Sequence, residues 1–135
     1  MPRARIRLAA DERAVARVTS WLESFCNRQK LSRAVTDVVC LSLEEVVSNI
    51  VEHGYERKPG RFSIELHCDD RALSVVIEDQ GKPFDPMQAA IPHDDGILAS
   101  RREGGFGLRL VKGLMDEMVY QRAGTINRLK LAKLL

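Results

Sequence analysis

The fold turns on one stretch, Leu43-Glu44-Glu45-Val46-Val47-Ser48-Asn49-Ile50-Val51-Glu52-His53-Gly54-Tyr55. With Val39 just upstream, Leu43, Val46, Val47 and Ile50 recur at the three- and four-residue spacing of a helix that buries one stripe. Ser32 is placed to cap its start and Gly54 to stop it. Valines are stiff in helices, but burial of the stripe overrides that preference, and no turn signal between Thr36 and Val51 would let the segment fold as two strands. Glu45, Asn49 and His53 stand four residues apart, so they share one side of the helix, beside the stripe and together with Val38. A carboxylate, an amide and an imidazole among apolar neighbours are costly if dry and unpartnered. A cleft holding a hydrated cation, water and phosphate oxygens would satisfy all three. Taken alone, the E-x-x-x-N spacing is equally at home on a solvated helix edge.

Upstream, Asp11 can cap an amphipathic helix carrying Val15, Val18, Leu22 and Phe25 and ending near Asn27 to Lys30. Arg3, Arg5 and Arg7 alternate with apolar positions including Ile6 and Leu8, the pattern of an edge strand with a wet face. Downstream, Phe62, Ile64 and Leu66 alternate with polar residues, Asp69 and Asp70 make a turn, and Leu73, Val75 and Ile77 alternate again. The same parity turns Asp79 toward the core where that strand ends, and an acid there needs a partner. Leu108, Val111, Leu114 and Met115 restore helical spacing, and Met118–Arg122 with Thr125–Leu131 form a closing hairpin around Ala123-Gly124. The expected architecture is a single α+β domain over residues 1–135. It is a two-layer sandwich, with helices on one face of a mostly antiparallel mixed sheet.

Two further segments carry candidate chemistry. At Asp79-Gln80-Gly81 a core-facing strand ends in an acid followed by a residue without a side chain. The carboxylate suits an exocyclic amine such as that of adenine, and glycine admits a base close to the backbone, although D-x-G is also a plain turn. Gly104-Gly105-Phe106-Gly107 leads into the helix expected from Leu108, where free backbone N–H groups at a helix start can bind phosphate, or the glycines can serve as a hinge and cap. A dinucleotide fingerprint is excluded because Leu110 occupies the position of its third glycine, and no G-x-x-x-x-G-K-[ST] occurs. Between these segments, residues 82–107 contain Pro83, Pro86, Pro92 and Asp94-Asp95 without periodicity, as expected of a lid.

Composition narrows the classes. Hydrophobic residues make up 44% and charged residues 30% of 135, which is ordinary for a globular chain. The 21 basic and 19 acidic residues are mixed along the sequence, too balanced for an electrostatic nucleic-acid footprint. Charges interrupt every apolar run and the start has no signal-peptide core, so a cytoplasmic protein without membrane segments is expected. Cys26, Cys40 and Cys68 lack C-x-x-C spacing and read as reduced, mostly buried thiols.

The order of these elements, a helical E-x-x-x-N-x-x-x-H, a strand ending in D-x-G, a lid, then G-x-G opening a helix, resembles the GHKL ATPases. Within them the chain is similar to the anti-sigma-factor serine kinases of bacterial partner-switching modules, most specifically over Leu43–Tyr55 and over Gly104–Leu108 continuing to Leu114-Met115-Asp116-Glu117. The resemblance implies the Bergerat ATP-binding fold, ATP and Mg²⁺ as cofactors, and phosphorylation of a serine on a STAS-type anti-sigma-factor antagonist. It also implies sequestration of a sigma factor or other regulator, and a homodimer. By the same resemblance Glu45 is the general base and Asn49 the Mg²⁺ ligand, with His53 on the same nucleotide-site helix. Asp79 receives the adenine amine and Gly81 lines the base. Gly104, Gly105, Phe106, Gly107 and Leu108 form the phosphate cradle. Arg101 or Arg102 could reach the terminal phosphate or be ordinary loop charges. Thr125 looks similar to a late-strand residue near the adenine, although Ile126-Asn127-Arg128 departs from the commoner sequence there. Two other functions stay open at this point. One is a nucleotide-binding sequestering module without turnover; the other is a detached histidine-kinase catalytic domain, which the absence of a dimerisation hairpin with a phosphoacceptor histidine disfavours.

Overall fold

A computed structural model describes residues 2–83 and 105–135. Its elements are strand β1 (Arg3–Ala9), helix α1 (Ala14–Arg28), helix α2 (Arg33–Asn49), a π-helical turn (Ile50–Gly54), strands β2 (Arg61–Cys68) and β3 (Ala72–Asp79), helix α3 (Gly105–Leu114), and strands β4 (Glu117–Ala123) and β5 (Ile126–Leu134). The five strands form one sheet in the order β1-β2-β3-β5-β4. All four pairings between them are antiparallel, so the sheet described is not the mixed one expected. β1 lies at the edge, its arginines exposed and its apolar residues half-buried, as the alternation predicts.

One face of the sheet is apolar and covered by the helices. Phe62, Ile64 and Leu66 of β2, Leu73, Val75 and Ile77 of β3, and Leu129 and Leu131 of β5 are all buried. Helix α2 packs against both α1 and α3. Its stripe Val39, Leu43, Val46, Val47 and Ile50 is buried throughout. The stiffness of a helical valine costs on the order of 0.5 kcal/mol, whereas a fully buried valine contributes roughly 1.5–3 kcal/mol, so packing decides the conformation. The Ser32 side chain caps α2 by accepting from the Val35 N–H at 3.1 Å. Asp11 acts one step before α1, its Oδ1 accepting from Arg13 N at 2.9 Å, and Arg13 rather than Asp11 is the cap residue.

Two departures bear on the site. The last turn of the long helix is wider than an α-turn, with Tyr55 N donating to Ile50 O at 2.9 Å, so His53 is rotated relative to the α-helical stacking expected above Asn49. Helix α3 begins at Gly105 rather than Leu108, which puts Gly105 to Gly107 inside its first turn. Of the lid expected over 82–107, residues 84–104 lie outside the described residues, and with them Gly104, Arg101 and Arg102. Cys26 and Cys68 are buried free thiols and Cys40 is half-buried, its thiol pushed up to about 11 by burial.

Candidate functional site

The β3–β5 ladder sets Asp79 directly opposite Asn127. Both are buried on the apolar face, and the Asn127 amide answers the requirement that a core-facing acid be partnered. Asn127 Nδ2 donates to Asp79 Oδ1 at 2.9 Å, and Gly81 N donates to the same oxygen at 2.8 Å. Asn127 Nδ2 also lies 3.1 Å from Gly81 O and 3.0 Å from Lys82 O. Its Oδ1 accepts from Tyr120 Oη and, at 2.9 Å, from Arg122 Nη1, which reaches Gly81 O as well at 3.0 Å.

Gly81 is held against the end of the long helix. A Cβ there would fall 2.6 Å from both the carbonyl carbon and the oxygen of Gly54, and Lys82 N donates to that oxygen at 2.8 Å. Glycine at 81 is therefore required by close approach to backbone that cannot move aside. Gly54 itself sits next to Asp79 Oδ1, 3.9 Å from where its own Cβ would be. Asn49, Asp79 and Leu108 line a common cavity of about 40 Å³ with Tyr120 and Asn127, over an apolar floor that includes Ile50 and Ile77. A larger cleft of about 1120 Å³, between Ala9–Arg13 and Arg57–Arg61, contains none of the predicted site residues.

Along the helix from this cavity, Glu45 meets α3. A Cβ on Gly107 would overlap Glu45 Oε2, so the first turn of α3 rests directly on the carboxylate and a larger residue there would push that side chain aside. The opening N–H groups of a helix have no partner within it, so the turn Gly105-Phe106-Gly107-Leu108 presents donors of the kind expected from the glycines. Burial, and secondarily the neighbouring Glu44 charge, raise the Glu45 pKa above the usual carboxylate value, the direction that suits a base working near neutrality. Asn49 Oδ1 and His53 Nε2 are buried and have no hydrogen-bond partner among the described residues. An unpartnered buried amide oxygen is a hard donor of the kind Mg²⁺ takes, so the residue present fits that ion.

The structure thus brings Asn49, Asp79 and Leu108 to one cavity, Gly81 to its rim and Gly107 to Glu45. Glu45 and His53 do not line the cavity itself. Thr125 is exposed in the β4–β5 turn, and it is Asn127, two residues on, that faces Asp79. Sequence reasoning missed Asn127, Tyr120, Arg122 and Gly54. Asn127 could have been found from parity, since it alternates with Leu129 and Leu131 on the strand expected to close the sheet.

Residues 8–133 match the model of the histidine kinase-like ATPase domain. The chain belongs to that family. Its relatives among curated proteins include the serine/threonine-protein kinase BtrW of Bordetella bronchiseptica, 33% identical over 82% of this chain and 79% of that protein. The serine-protein kinase RsbW of Staphylococcus epidermidis is 31% identical over 95% of this chain and 86% of its own length. These place it in the RsbW-like branch of histidine kinase-like ATPases. The fold matches the crystal structure of the RsbU and RsbW domains of Rv1364c from Mycobacterium tuberculosis with a TM-score of 0.72 at 18% identity, covering 99% of this chain and 33% of that one. This chain thus spans a third of that protein's structure. The site thus has two ends, the cavity at Asp79 and the contact of Gly107 with Glu45.

Proposed function

We propose that this chain is an ATP-dependent serine-protein kinase of the RsbW type. It phosphorylates a serine on a STAS-type antagonist protein and, when not so engaged, sequesters a sigma factor or similar regulator. It acts as a cytoplasmic homodimer in transcription control, with residues 1–135 forming one nucleotide-binding domain and residues 82–107 its lid. The observation that carries the reading is the contact between Gly107 and Glu45: a helix start able to bind anions rests on a carboxylate whose pKa is raised. Phosphoryl transfer needs positioning, charge neutralisation and a group to accept the hydroxyl proton, and little else from the protein.

In the proposed reaction the serine Oγ attacks the terminal phosphorus of ATP. Its proton passes to the Glu45 carboxylate as the bond from phosphorus to the bridging oxygen breaks, releasing ADP. Asn49 would hold Mg²⁺ through its unpartnered Oδ1, and the ion would supply neutralisation of phosphate charge. Asp79 would accept the base amine while Gly81 lets the ring lie against backbone. The N–H groups of Gly104 to Leu108 would hold phosphate, and His53 Nε2, buried without a partner among the described residues, would meet a water or phosphate oxygen. Among the described residues no helix is long and apolar enough to cross a membrane.

The test is incubation with Mg-ATP and a STAS-domain partner, with mass spectrometry for phosphoserine. Stoichiometric phosphoserine supports the kinase. ATP binding without transfer to the true partner would instead establish a sequestering module without turnover.

A further inference from the structure

Asn127 is engaged through both ends of its amide, and in one orientation only. The amine end faces three acceptors, Asp79 Oδ1, Gly81 O and Lys82 O, among which two protons are shared. The carbonyl end faces two donors, Tyr120 Oη and Arg122 Nη1. Flipping the amide would set its oxygen against three acceptors and its protons against two donors, so the network itself fixes which way it points. At 5% exposure none of these groups can fall back on bulk water. A leucine of similar size would fill the space but leave the Asp79 carboxylate and two backbone carbonyls short of a donor.

The consequence falls on Asp79. With Oδ1 held between Asn127 Nδ2 and Gly81 N, the carboxylate cannot turn freely. Oδ2 accepts no hydrogen bond among the described residues, and Asp79 lines the small cavity. An ionised carboxylate oxygen accepts and does not donate, so it rewards a purine with an amine at the six position and opposes one with a carbonyl there. The discrimination lasts only while the carboxylate is kept from rotating away.

We propose that Asn127 is a positioning residue for nucleotide choice: by locking the Asp79 carboxylate and the backbone of residues 81 and 82, it makes the site select adenine over guanine nucleotides. This inference rests on the nucleotide-site reading above and adds to it the determinant of base specificity. Arg122, which braces the same amide and Gly81 O, supports the lock from β4.

The experiment is calorimetric titration of ATP and of GTP, each with Mg²⁺, into the parent protein and into Asn127→Ala and Arg122→Ala, with thermal melts to confirm folding. The parent should prefer ATP. Asn127→Ala should weaken ATP at least about 10-fold while GTP changes little, compressing the ratio, and Arg122→Ala should move it the same way by less. A purely packing role would lower both affinities together and leave the ratio intact, which overturns the inference. A folded Asn127→Ala protein with unchanged ATP affinity also overturns it. Should Asn127→Ala not fold, an unchanged ratio in Arg122→Ala overturns it alone. Failure of the underlying reading is visible separately, as absence of ATP binding by the parent.

Discussion

The two ends of the candidate site are built on opposite principles. At the Asp79 end the polar groups are tied to one another: Asp79 Oδ1, Asn127, Gly81 O and Lys82 O are joined by hydrogen bonds, and Asp79 Oδ2 alone is left open. Along the long helix, Asn49 Oδ1 and His53 Nε2 are buried without partners among the described residues, and Glu45, at the contact with Gly107, carries a raised pKa. Unpartnered buried polar atoms are costly, so those along the long helix fit the proposed role of meeting a ligand that arrives later. In the proposed reading the Asp79 end meets a rigid ring, so it gains from having its carboxylate oriented beforehand. In the same reading the Glu45–Gly107 end meets an ion, moving charge and a second protein, so it gains from donors and acceptors left free.

The largest expected effect lies at the Glu45–Gly107 end. Glu45→Gln preserves shape but removes the proton acceptor, and should lower phosphoryl transfer by about 10²–10⁴-fold while leaving ATP affinity nearly unchanged. A fall in affinity as large as the fall in rate would place Glu45 in binding and blur the contrast. Next, Gly107→Ala drives a methyl group into Glu45 Oε2, and displacing the base by about 1 Å is worth on the order of 10²-fold in rate. Single-turnover kinetics on a protein with an unchanged melting curve would read it.

At the Asp79 end the effect should be on stability instead. Gly81→Ala sets a Cβ 2.6 Å from the Gly54 backbone, and overpacking of this kind costs about 1–3 kcal/mol, to be read from denaturant midpoints. A neutral Gly81→Ala would mean that the junction between the long helix and β3 is looser than described. The smallest effect concerns pH. Because Glu45 must be ionised to act and its pKa is raised, transfer should fall on acidification earlier than an ordinary carboxylate would allow. Removing the neighbouring charge with Glu44→Gln should move that acid limb to lower pH. Linkage has the opposite sign for folding: a carboxylate with a raised folded-state pKa loses stability as pH rises through its titration, so Glu45→Gln should be at least as stable as the parent at neutral pH.

The same contrast explains what could be read from the sequence. Helix α2, β2 and β3 were legible because one-sided burial imposes a period, and Val39–Ile50, Phe62–Leu66 and Leu73–Ile77 all keep it. Asp79 and Gly107 were legible because an acid at a core-facing strand end and glycines beside a helix start are unusual enough to need a reason. The π-helical turn was not, since the choice between an i+4 and an i+5 bond at Ile50–Gly54 is made by packing against Gly81 and not by residue type. Asn127 was not legible, because an asparagine two residues from a hairpin turn carries no mark of burial in its residue type. Only the β3–β5 register, a long-range fact, sets it across from Asp79.

Calorimetric titration of ATP, with and without Mg²⁺, into the parent protein, Asn49→Ala and Asp79→Asn tests the convergence of both ends on one nucleotide most directly. The account predicts binding that Mg²⁺ strengthens in the parent, loss of most of that strengthening in Asn49→Ala, and weakened binding with or without Mg²⁺ in Asp79→Asn. Binding of equal strength in all three proteins, or no heat from the folded parent, would contradict it.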